Sequence, residues 1–144
     1  MENDMKLNIY NDCLNRDWER VAQLMKLFGL SEAPGEIHQQ AFTNSYRVTF
    51  VYDEETLIGF GRAISDGVSQ AGIYNIAVDP GYHSQGIGRL IIEDLLKGLK
   101  QCNVVLYTHP DTVDFYRRLG FRRMKTGMAL YLNEDKLEEM GFIE

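Results

Sequence analysis

One stretch in the middle of the 144-residue chain constrains the fold more than any other. It starts with the apolar run AGIYNIAV (71–78), continues through a glycine-containing turn and an apolar helix-like run, and ends with NVVLYT (103–108). A strand, a helix and a second strand in this order form a crossover unit, which makes the two strands parallel. The sequence therefore predicts a sheet that contains a parallel pair.

The segments before this unit predict antiparallel strands. YRVTFVYD (46–53) and TLIGFGRAIS (56–65) are rich in β-branched and aromatic residues and flank a short turn, which is typical of a hairpin. The run at 71–78 follows after another turn, and KLNIY (6–10) has the composition of a further strand. We expect the N-terminal part of the sheet to be antiparallel, and FRRMKTGMALYLN (121–133) to supply one or two closing strands.

Apolar residues recur every three or four positions in the segments between the strands, which predicts amphipathic helices. Such helices are predicted over 16–28, 36–44, 87–101 and 112–119. Asn15 is expected to cap the first helix, and Gly29 and Gly120 to end the first and the last. Together these elements predict an α+β (mixed α/β) fold. It has a central twisted mixed sheet of six to seven strands with helices on both faces, in a single domain over residues 1–144.

Charge and composition exclude several classes of protein. The formal net charge is -6, whereas a nucleic-acid-binding protein is usually basic, so no nucleic-acid partner is expected. No apolar run approaches the ~20 residues of a membrane span, and the acidic N-terminus lacks a signal-peptide pattern. Cys13 and Cys102 form neither a metal-binding nor a disulfide pattern. We therefore expect reduced thiols, no metal, no membrane partner and a cytoplasmic location.

The turn DPGYHSQGIGRL (79–90) is the candidate binding site. Free N–H groups and the dipole at the start of the following helix favour an anion. The phosphate loop of nucleotide hydrolases needs a lysine and a hydroxyl residue after its second glycine, but Ile87 and Gly88 follow Gly86. A dinucleotide fingerprint needs a third glycine where this chain has Ile91. The turn therefore predicts a phosphate ligand but excludes these two patterns.

A third phosphate-binding pattern matches the turn. HSQGIG (83–88) resembles the Arg/Gln-x-x-Gly-x-Gly/Ala segment of the GNAT superfamily of N-acetyltransferases. VVLYTHPDTVDFYRRLGF (104–121) resembles the next strand of that family and its FY…LGF helix, and TLIGFGRAI is similar to its hairpin. The resemblance covers most of residues 46–132. It implies a parallel central pair that splays into a V, and acetyl-coenzyme A (acetyl-CoA) as co-substrate, with its pyrophosphate on the turn.

The resemblance also implies which residues bind acetyl-CoA. They are Ile76, Ala77, Val78, His83, Ser84, Gln85, Gly86, Ile87, Gly88, Arg89, Leu90 and His109. The main chain of Ile76–Val78 would pair with the pantetheine arm and stabilise the thioester oxyanion, opposite the strand at Leu106–Thr108. Gly86 and Gly88 would let the phosphates approach the backbone. His83 stands where the family usually has Arg or Gln, so this position is not reliably cationic here.

The resemblance assigns one catalytic residue and leaves the base open. Tyr116 matches the tyrosine that commonly protonates the departing thiolate in the family, and a phenol with a pKa near 10 can supply that proton. Many family members carry a carboxylate on the central strand where this chain has Asn75, which cannot accept a proton. Asp66, His109 and Asp111 remain candidate bases. Proton loss through water, with no committed base, is the alternative that we favour.

The predicted function is transfer of acetyl from acetyl-CoA to a primary amine of a small molecule or peptide. The amine would attack directly in a ternary complex, without a covalent enzyme intermediate. The alternative is a catalytically degraded module that binds or senses acyl-CoA. Asn75 and His83 keep this alternative open, because both differ from the residues that the family usually has at these positions. Because relatives in the family often dimerise, the resemblance also implies a homodimer.

The acceptor site is expected to involve the helix connection at 28–36, the hairpin and the segment after 126–131. Its candidate wall consists of Phe28, Leu30, Tyr46, Tyr74 and Tyr107, although a group of aromatic residues is more often plain core. The neighbourhoods GRAISDGV and IYNIAV are somewhat similar to bacterial and plant relatives that acetylate arylalkylamines. An arylamine acceptor would arrive neutral and need no base.

Overall fold

The computed structural model describes residues 5–144 and builds them around one mixed sheet. Residues 1–4, the start of the acidic N-terminus, lie outside the described residues. The described residues contain five strands in the spatial order β1-β2-β3-β4-β5. These are β1 (Leu7–Tyr10), β2 (Arg47–Asp53), β3 (Thr56–Ser65), β4 (Gln70–Val78) and β5 (Asn103–Val105). The first four pair antiparallel with their neighbours, and β4 and β5 pair parallel. The predicted antiparallel part and parallel pair are thus confirmed.

Five helices connect the strands or follow them in the described residues. They are α1 (Trp18–Leu27), α2 (Gly35–Thr43), α3 (Ile87–Lys97), α4 (Val113–Arg118) and α5 (Glu134–Glu139). The cap of α1 is Asp17 rather than the predicted Asn15, because the Asp17 carboxylate accepts a hydrogen bond from the Arg20 N–H at 3.0 Å. α3 ends at Lys97 rather than at the predicted position 101, and α5 is not among the predicted helices.

One face of the sheet packs against α1 and α2. Its core is a cluster of fully or nearly fully buried side chains from both helices and from β2, β3 and β4. Phe42 of α2 lies at the centre, with its ring centroid 5.4 Å from that of Phe50 and 5.8 Å from that of Phe60. Edge and tilted contacts of this kind add to the free energy gained from burying the rings. Phe42 thus packs α2 against β2 and β3, in the middle of the sheet.

The opposite face packs against α3, so helices cover both faces as predicted. Gly59 and Gly61 of β3 lie beneath the apolar side of α3. A Cβ atom at Gly59 would come within 2.9 Å of the Ile91 Cδ1 atom, and one at Gly61 would meet the side chains of Ile76 and Ile91. The two glycines therefore permit close packing of helix on strand.

A buried carboxylate fixes α3 to β2. Asp94 is 6% exposed, and its Oδ2 atom accepts hydrogen bonds at 2.7 Å from both the Thr49 hydroxyl and the Asn11 amide. The Arg47 guanidinium lies 3.5 Å from the same atom and donates at 2.9 Å to the Asp94 carbonyl. A buried charge is tolerated when it is paired and hydrogen-bonded in this way. The network fixes the position of α3 along the sheet.

The prediction of six to seven strands is wrong for the described residues. Residues 121–133, expected to supply one or two closing strands, contain no strand. A strand needs a hydrogen-bonded neighbour and a face to bury, whereas Met128 and Leu130 are 96% and 94% exposed. The last strand, β5, is also shorter than its apolar run, since it ends at Val105.

The chain divides into two compact units. The first ends at Leu106 and contains the whole sheet with α1, α2 and α3. The second, Tyr107–Glu144, contains α4 and α5. The turn at 79–90 therefore belongs to the first unit, and Tyr116 belongs to the second.

Candidate active site

The end of β4, the following turn and the start of α3 form one continuous site in the first unit. A short 3₁₀ turn at Pro80–Tyr82 follows Val78, and Gly86 caps α3 with φ +80°. Ser84 also has a left-handed backbone, with φ +65°. Left-handed residues separated by one position bend the chain back on itself, and a non-glycine residue in this conformation is strained. The sequence analysis missed the strain at Ser84.

The first turn of α3 presents unpaired main-chain donors. The first hydrogen bond of the helix runs from the Leu90 N–H to the Gly86 carbonyl at 3.0 Å, so the N–H groups of Ile87, Gly88 and Arg89 precede the ladder. Gly86 has no side chain to cap them, and a Cβ atom there would find nothing within 4 Å. Unpaired donors at a helix start that begins with an open glycine position are typical of an anion site at a helix N-terminus.

Hydrogen bonds and an ion pair connect the turn to α1 and to the end of β2. The Asp79 carboxylate accepts the Gly81 N–H at 2.7 Å and forms an ion pair with Arg20 of α1. The Tyr82 hydroxyl donates to the Asp53 carboxylate, at the end of β2, at 2.7 Å. These contacts order the turn before any ligand binds, which lowers the entropic cost of binding.

The side chain of His83 contacts β4 and the residue that follows α1. Its Nε2 atom lies 2.9 Å from the Val78 carbonyl, and its ring stacks on Phe28, with 5.9 Å between the ring centroids. His83 thereby fastens the turn to the end of β4 and to the residue that follows α1. This geometry gives His83 a structural task in the turn, and the sequence pattern alone could not reveal it.

The other predicted residues of the turn are divided between core and solvent. Ile87 is buried, whereas Ser84 and Gln85 are exposed. The Arg89 guanidinium lies 3.1 Å from the Glu93 carboxylate one turn along the helix, and both side chains are more than half exposed. Such an i,i+4 pair stabilises a helix only slightly. These side chains are therefore not directed to the start of α3 by any contact within the described residues, and the main chain supplies the donors there.

The strand before the turn is interrupted by a bulge. Between the pairs Phe60–Ala77 and Arg62–Tyr74, β4 contains one residue more than β3. Asn75 lies in this bulge with φ +59°. A bulge locally frees main-chain groups from the ladder, and it often occurs next to active sites. Ile76–Val78, the predicted partners of the pantetheine arm, follow it directly.

The side chain of Asn75 is already engaged. Its Oδ1 atom accepts a hydrogen bond from Arg62 Nε at 2.6 Å, and its amide lies 3.8 Å from the Met25 sulfur. Arg62 also donates to the Ser45 hydroxyl at 3.2 Å. Its guanidinium carbon lies within 6 Å of the ring centroids of Phe42 and Tyr74. A polar cluster therefore lies on the α1–α2 face of the sheet, beside the bulge.

A buried histidine lies near this cluster, and the sequence analysis missed it. His38 of α2 is 6% exposed and one turn before Phe42 on the buried side of the helix. Its Nε2 atom has no hydrogen-bond partner among the described residues. Burial lowers the pKa of His38 below its ordinary value and nearby Arg62 lowers it further, while a hydrogen bond with the Ala33 backbone opposes the shift. The apolar spacing of α2 was the available signal that His38 points inward.

The candidate bases from the sequence analysis are poorly suited to that role. Three main-chain N–H groups, those of Val68, Ser69 and Gln70, donate to Asp66, and these bonds hold its pKa well below the usual range. In the second unit, His109 Nδ1 accepts the Asp111 N–H at 3.1 Å and caps a short turn. These side chains serve local turn structure.

Tyr116 lies in the second unit, within α4. Phe115 and Phe121 contact its ring edge-on, with ring centroids 5.0 Å and 5.7 Å away. Burial raises its pKa to about 12, so the phenol stays protonated throughout the neutral range. The group can therefore donate a hydrogen bond but does not act as a base.

Most of the predicted acceptor wall is on the surface rather than in the core. Phe28, Leu30, Tyr46 and Tyr107 are 37%, 46%, 48% and 56% exposed, while Tyr74 is half-buried beside Arg62. Large apolar side chains at the surface are often available for ligands. Their exposure is compatible with an acceptor site but does not identify the acceptor.

Comparison with known proteins identifies the family. A sequence model described as an acetyltransferase (GNAT) domain matches residues 44–123, more than half of the chain. The chain belongs to the GNAT family of acetyltransferases. The matched range begins just before β2 and ends after α4, so it contains the bulge, the phosphate-type turn and Tyr116.

Individual relatives agree with this assignment. A GNAT-family acetyltransferase from Streptococcus pneumoniae superposes with a TM-score of 0.75 at 27% identity, covering 88% of this chain and 98% of that one. Histone acetyltransferase TAP1 of Glycine max is 40% identical over 79 residues, 53% of this chain and 34% of its own length. Serotonin N-acetyltransferase 2, chloroplastic, of Oryza sativa is 36% identical over 87 residues, 56% of this chain and 44% of its own. The matches therefore span less than half of these two plant relatives.

Two further features of the GNAT chain concern membranes and metals. Within residues 5–144, no helix has both the length and the apolar character needed to cross a bilayer. Over the same residues, no three His, Cys, Asp or Glu side chains are grouped so that they could hold a metal ion.

Proposed function

We propose that this GNAT protein transfers the acetyl group of acetyl-CoA to a primary amine, by direct attack of the amine in a ternary complex. The observation that carries the proposal is the start of α3, where three N–H groups precede the first helical hydrogen bond and follow the left-handed, open Gly86. A pyrophosphate fits these donors by charge and by geometry, because it offers several acceptor oxygens and the helix N-terminus is partially positive.

The thioester would lie along the end of β4. The main chain of Ile76–Val78 follows the bulge, and β5 pairs with β4 only at Gln70–Gly72. We propose that the parallel pair separates beyond Gly72 into the V-shaped opening predicted from the sequence. A main-chain N–H in Ile76–Val78 would then stabilise the negative charge that develops on the thioester oxygen.

Tyr116 would donate to the departing sulfur. A thiol has a pKa near 8.5 and Tyr116 a pKa of about 12, so full transfer of the phenolic proton to a free thiolate is uphill. The protonated phenol can still stabilise the sulfur as negative charge develops there, by a charge-assisted hydrogen bond. We propose this role for Tyr116, with His109 contributing to cofactor binding from the same unit.

The acceptor class follows from the relatives and from the surface. The plant relatives named above are a histone acetyltransferase and a serotonin N-acetyltransferase, whose names denote a protein and an arylalkylamine as acceptor. The net charge of -6 favours a cationic acceptor over an acidic one. We propose a small primary amine or a peptide amine, bound near the exposed apolar residues of the 28–36 connection.

Three further predictions remain proposals. We propose that residues 1–144 form one acetyltransferase domain, that the protein is cytoplasmic, and that it forms a homodimer. Size-exclusion chromatography with light scattering tests the last of these.

Release of the coenzyme thiol from acetyl-CoA tests the function, measured over a panel of alkylamines, arylalkylamines and peptide amines. We expect turnover with at least one amine. We also expect Tyr116→Phe to lower kcat by about a hundredfold while the KM for acetyl-CoA stays unchanged, since a positioned proton donor contributes on this scale. Tight binding of acetyl-CoA without turnover of any amine would contradict the proposal and favour an acyl-CoA-binding module.

A further inference from the structure

The unpartnered Nε2 atom of His38 requires an explanation. A buried polar atom without a hydrogen bond costs roughly 1–3 kcal/mol, so native proteins rarely leave one without a use. The backbone of Ala33 hydrogen-bonds the ring and thereby orients it, whereas Nε2 has no partner among the described residues. With the other nitrogen as the donor to Ala33, Nε2 carries a lone pair and is a hydrogen-bond acceptor.

The surroundings of His38 keep the ring neutral. Arg62 of β3 is the charged group that acts on it. The side chains of α1 that enter the same core, Val21, Leu24 and Met25, are apolar, and Asn75 on β4 is uncharged. Glu36, two positions earlier on α2, is exposed. Both burial and the positive charge of Arg62 disfavour the imidazolium form, so a basic lone pair is present at neutral pH.

Hydrogen bonds and charge connect His38 to the reactive end of β4. Arg62, which perturbs the ring, donates to Asn75 in the bulge, and Ile76–Val78 follow Asn75 directly. The side chains of His38, Arg62 and Asn75 belong to the first unit, whereas that of Ile76 lies on the α3 side of the sheet. His38 therefore lies on the same face of the sheet as the Asn75 side chain in the bulge, whose amide contacts Met25 of α1.

We propose that His38 Nε2 is the proton acceptor for the substrate amine, an assignment that rests on the proposed N-acetyltransferase activity. The chemistry needs such a group, because an alkylamine with a pKa near 10.4 arrives as an ammonium ion and must lose one proton before its nitrogen can attack. Asn75 cannot accept a proton, and the hydrogen bonds on Asp66 make its carboxylate a weak base. His38 supplies the missing base on a different element.

The step balances in atoms and charge. The nitrogen lone pair of the amine forms a bond to the carbonyl carbon of the acetyl group, and the C–S bond breaks with its electron pair on sulfur. Before this attack, His38 Nε2 takes up one proton from the ammonium ion, which frees the nitrogen lone pair. The second proton, which nitrogen releases as the amide forms, passes directly or through solvent to the thiolate, which also accepts a hydrogen bond from Tyr116. The positive charge of Arg62 favours the nucleophilic neutral amine over an ammonium ion beside it, and it also lowers the basicity of His38.

Access to Nε2 requires a local change. The atom has almost no exposed surface, so neighbouring side chains must shift when the amine binds. Rotamer changes of this kind are common on binding. The shielding also keeps bulk water from the ring, which preserves its neutral form.

Steady-state kinetics of His38→Gln test the proposal, because glutamine can accept a hydrogen bond but cannot take up a proton. We expect kcat/KM for an alkylamine to fall by about a hundredfold or more, as for loss of a general base. The KM for acetyl-CoA should stay the same. The loss should shrink towards threefold or less for an arylamine, which is neutral at pH 7. The matched control Gln39→Ala, exposed on the same helix, should behave as wild type.

Two results would overturn the assignment: wild-type kinetics for His38→Gln, or an equal loss with both amine types, which a purely structural role predicts. A wild-type protein that turns over no amine would instead contradict the proposed function. NMR of the wild-type imidazole provides a readout that needs no variant. The Nε2 resonance of His38 should move on addition of amine to the complex with coenzyme A, and an unchanged resonance would contradict the proposal.

Discussion

Replacing Gly86 by alanine affects two quantities that can be measured separately. The left-handed backbone lowers the free energy of unfolding, and the added methyl group weakens coenzyme A binding at the proposed anion site. Gly86 has φ +80°, and a Cβ atom there would contact nothing within 4 Å, so the fold has room for alanine. The left-handed conformation costs a non-glycine residue about 1–2 kcal/mol, partly offset by about 0.4–1 kcal/mol from the stiffer unfolded chain. We expect Gly86→Ala to lower the free energy of unfolding by about 1 kcal/mol, or Tm by roughly 3–4 °C.

The same methyl group should have a larger effect on the affinity for coenzyme A than on stability. It would fill space that is open at Gly86, the residue directly before the N–H groups of Ile87, Gly88 and Arg89. Loss of one hydrogen bond to a charged phosphate costs about 1.5–3 kcal/mol, which corresponds to roughly a tenfold to hundredfold loss of affinity. We therefore expect the Kd for coenzyme A, measured by isothermal titration calorimetry, to rise by that factor.

Gly141→Ala is the matched control. Gly141 follows α5 with φ +86°, and its Cβ atom would make an ordinary 3.4 Å contact with Pro110. The two variants therefore have nearly the same backbone cost, and Gly141 has no part in the anion site. Equal affinities of Gly86→Ala and Gly141→Ala for coenzyme A would refute the assignment of the turn as the pyrophosphate site.

Two further predictions concern stability. Asp94→Ala should lower the free energy of unfolding by about 3–5 kcal/mol, because it leaves the partners of a buried carboxylate unpaired, whereas the exposed neighbour Glu93→Gln should change it by less than about 0.5 kcal/mol. Urea denaturation measures both, and similar values would contradict the anchoring role of Asp94. The pKa of His38 is lowered in the folded protein. When the pH falls below about 6.5, the ordinary pKa of histidine, the unfolded chain therefore binds more protons at this residue than the folded protein does. The contribution of neutral His38 to the free energy of unfolding is therefore complete above about pH 6.5 and is lost as the pH falls below that value. The difference in Tm between wild type and His38→Gln should therefore narrow from pH 7.5 to pH 5, and a constant difference would contradict the lowered pKa.

The sequence by itself determined the crossover unit, the hairpin and the glycine turn that is predicted to bind an anion. These features depend on local rules: the spacing of apolar residues, the composition of strands, and glycine where the backbone is left-handed. The order of elements then gave the parallel pair of β4 and β5, since a helix between two strands of one sheet leaves few other arrangements. The motifs at 83–88 and 104–121 are specific enough to indicate the GNAT family from the sequence alone.

Only the tertiary structure decided which side chains meet. His83 lies in the predicted motif, yet its ring bonds to the Val78 carbonyl. Arg62 and Asn75 are 13 positions apart, and only the bulge in β4 brings them together. His38 has no motif around it, and its importance follows from burial and from the lack of a partner for Nε2 among the described residues. Burial, pKa and pairing depend on residues distant in sequence, so they become visible only when the chain is folded.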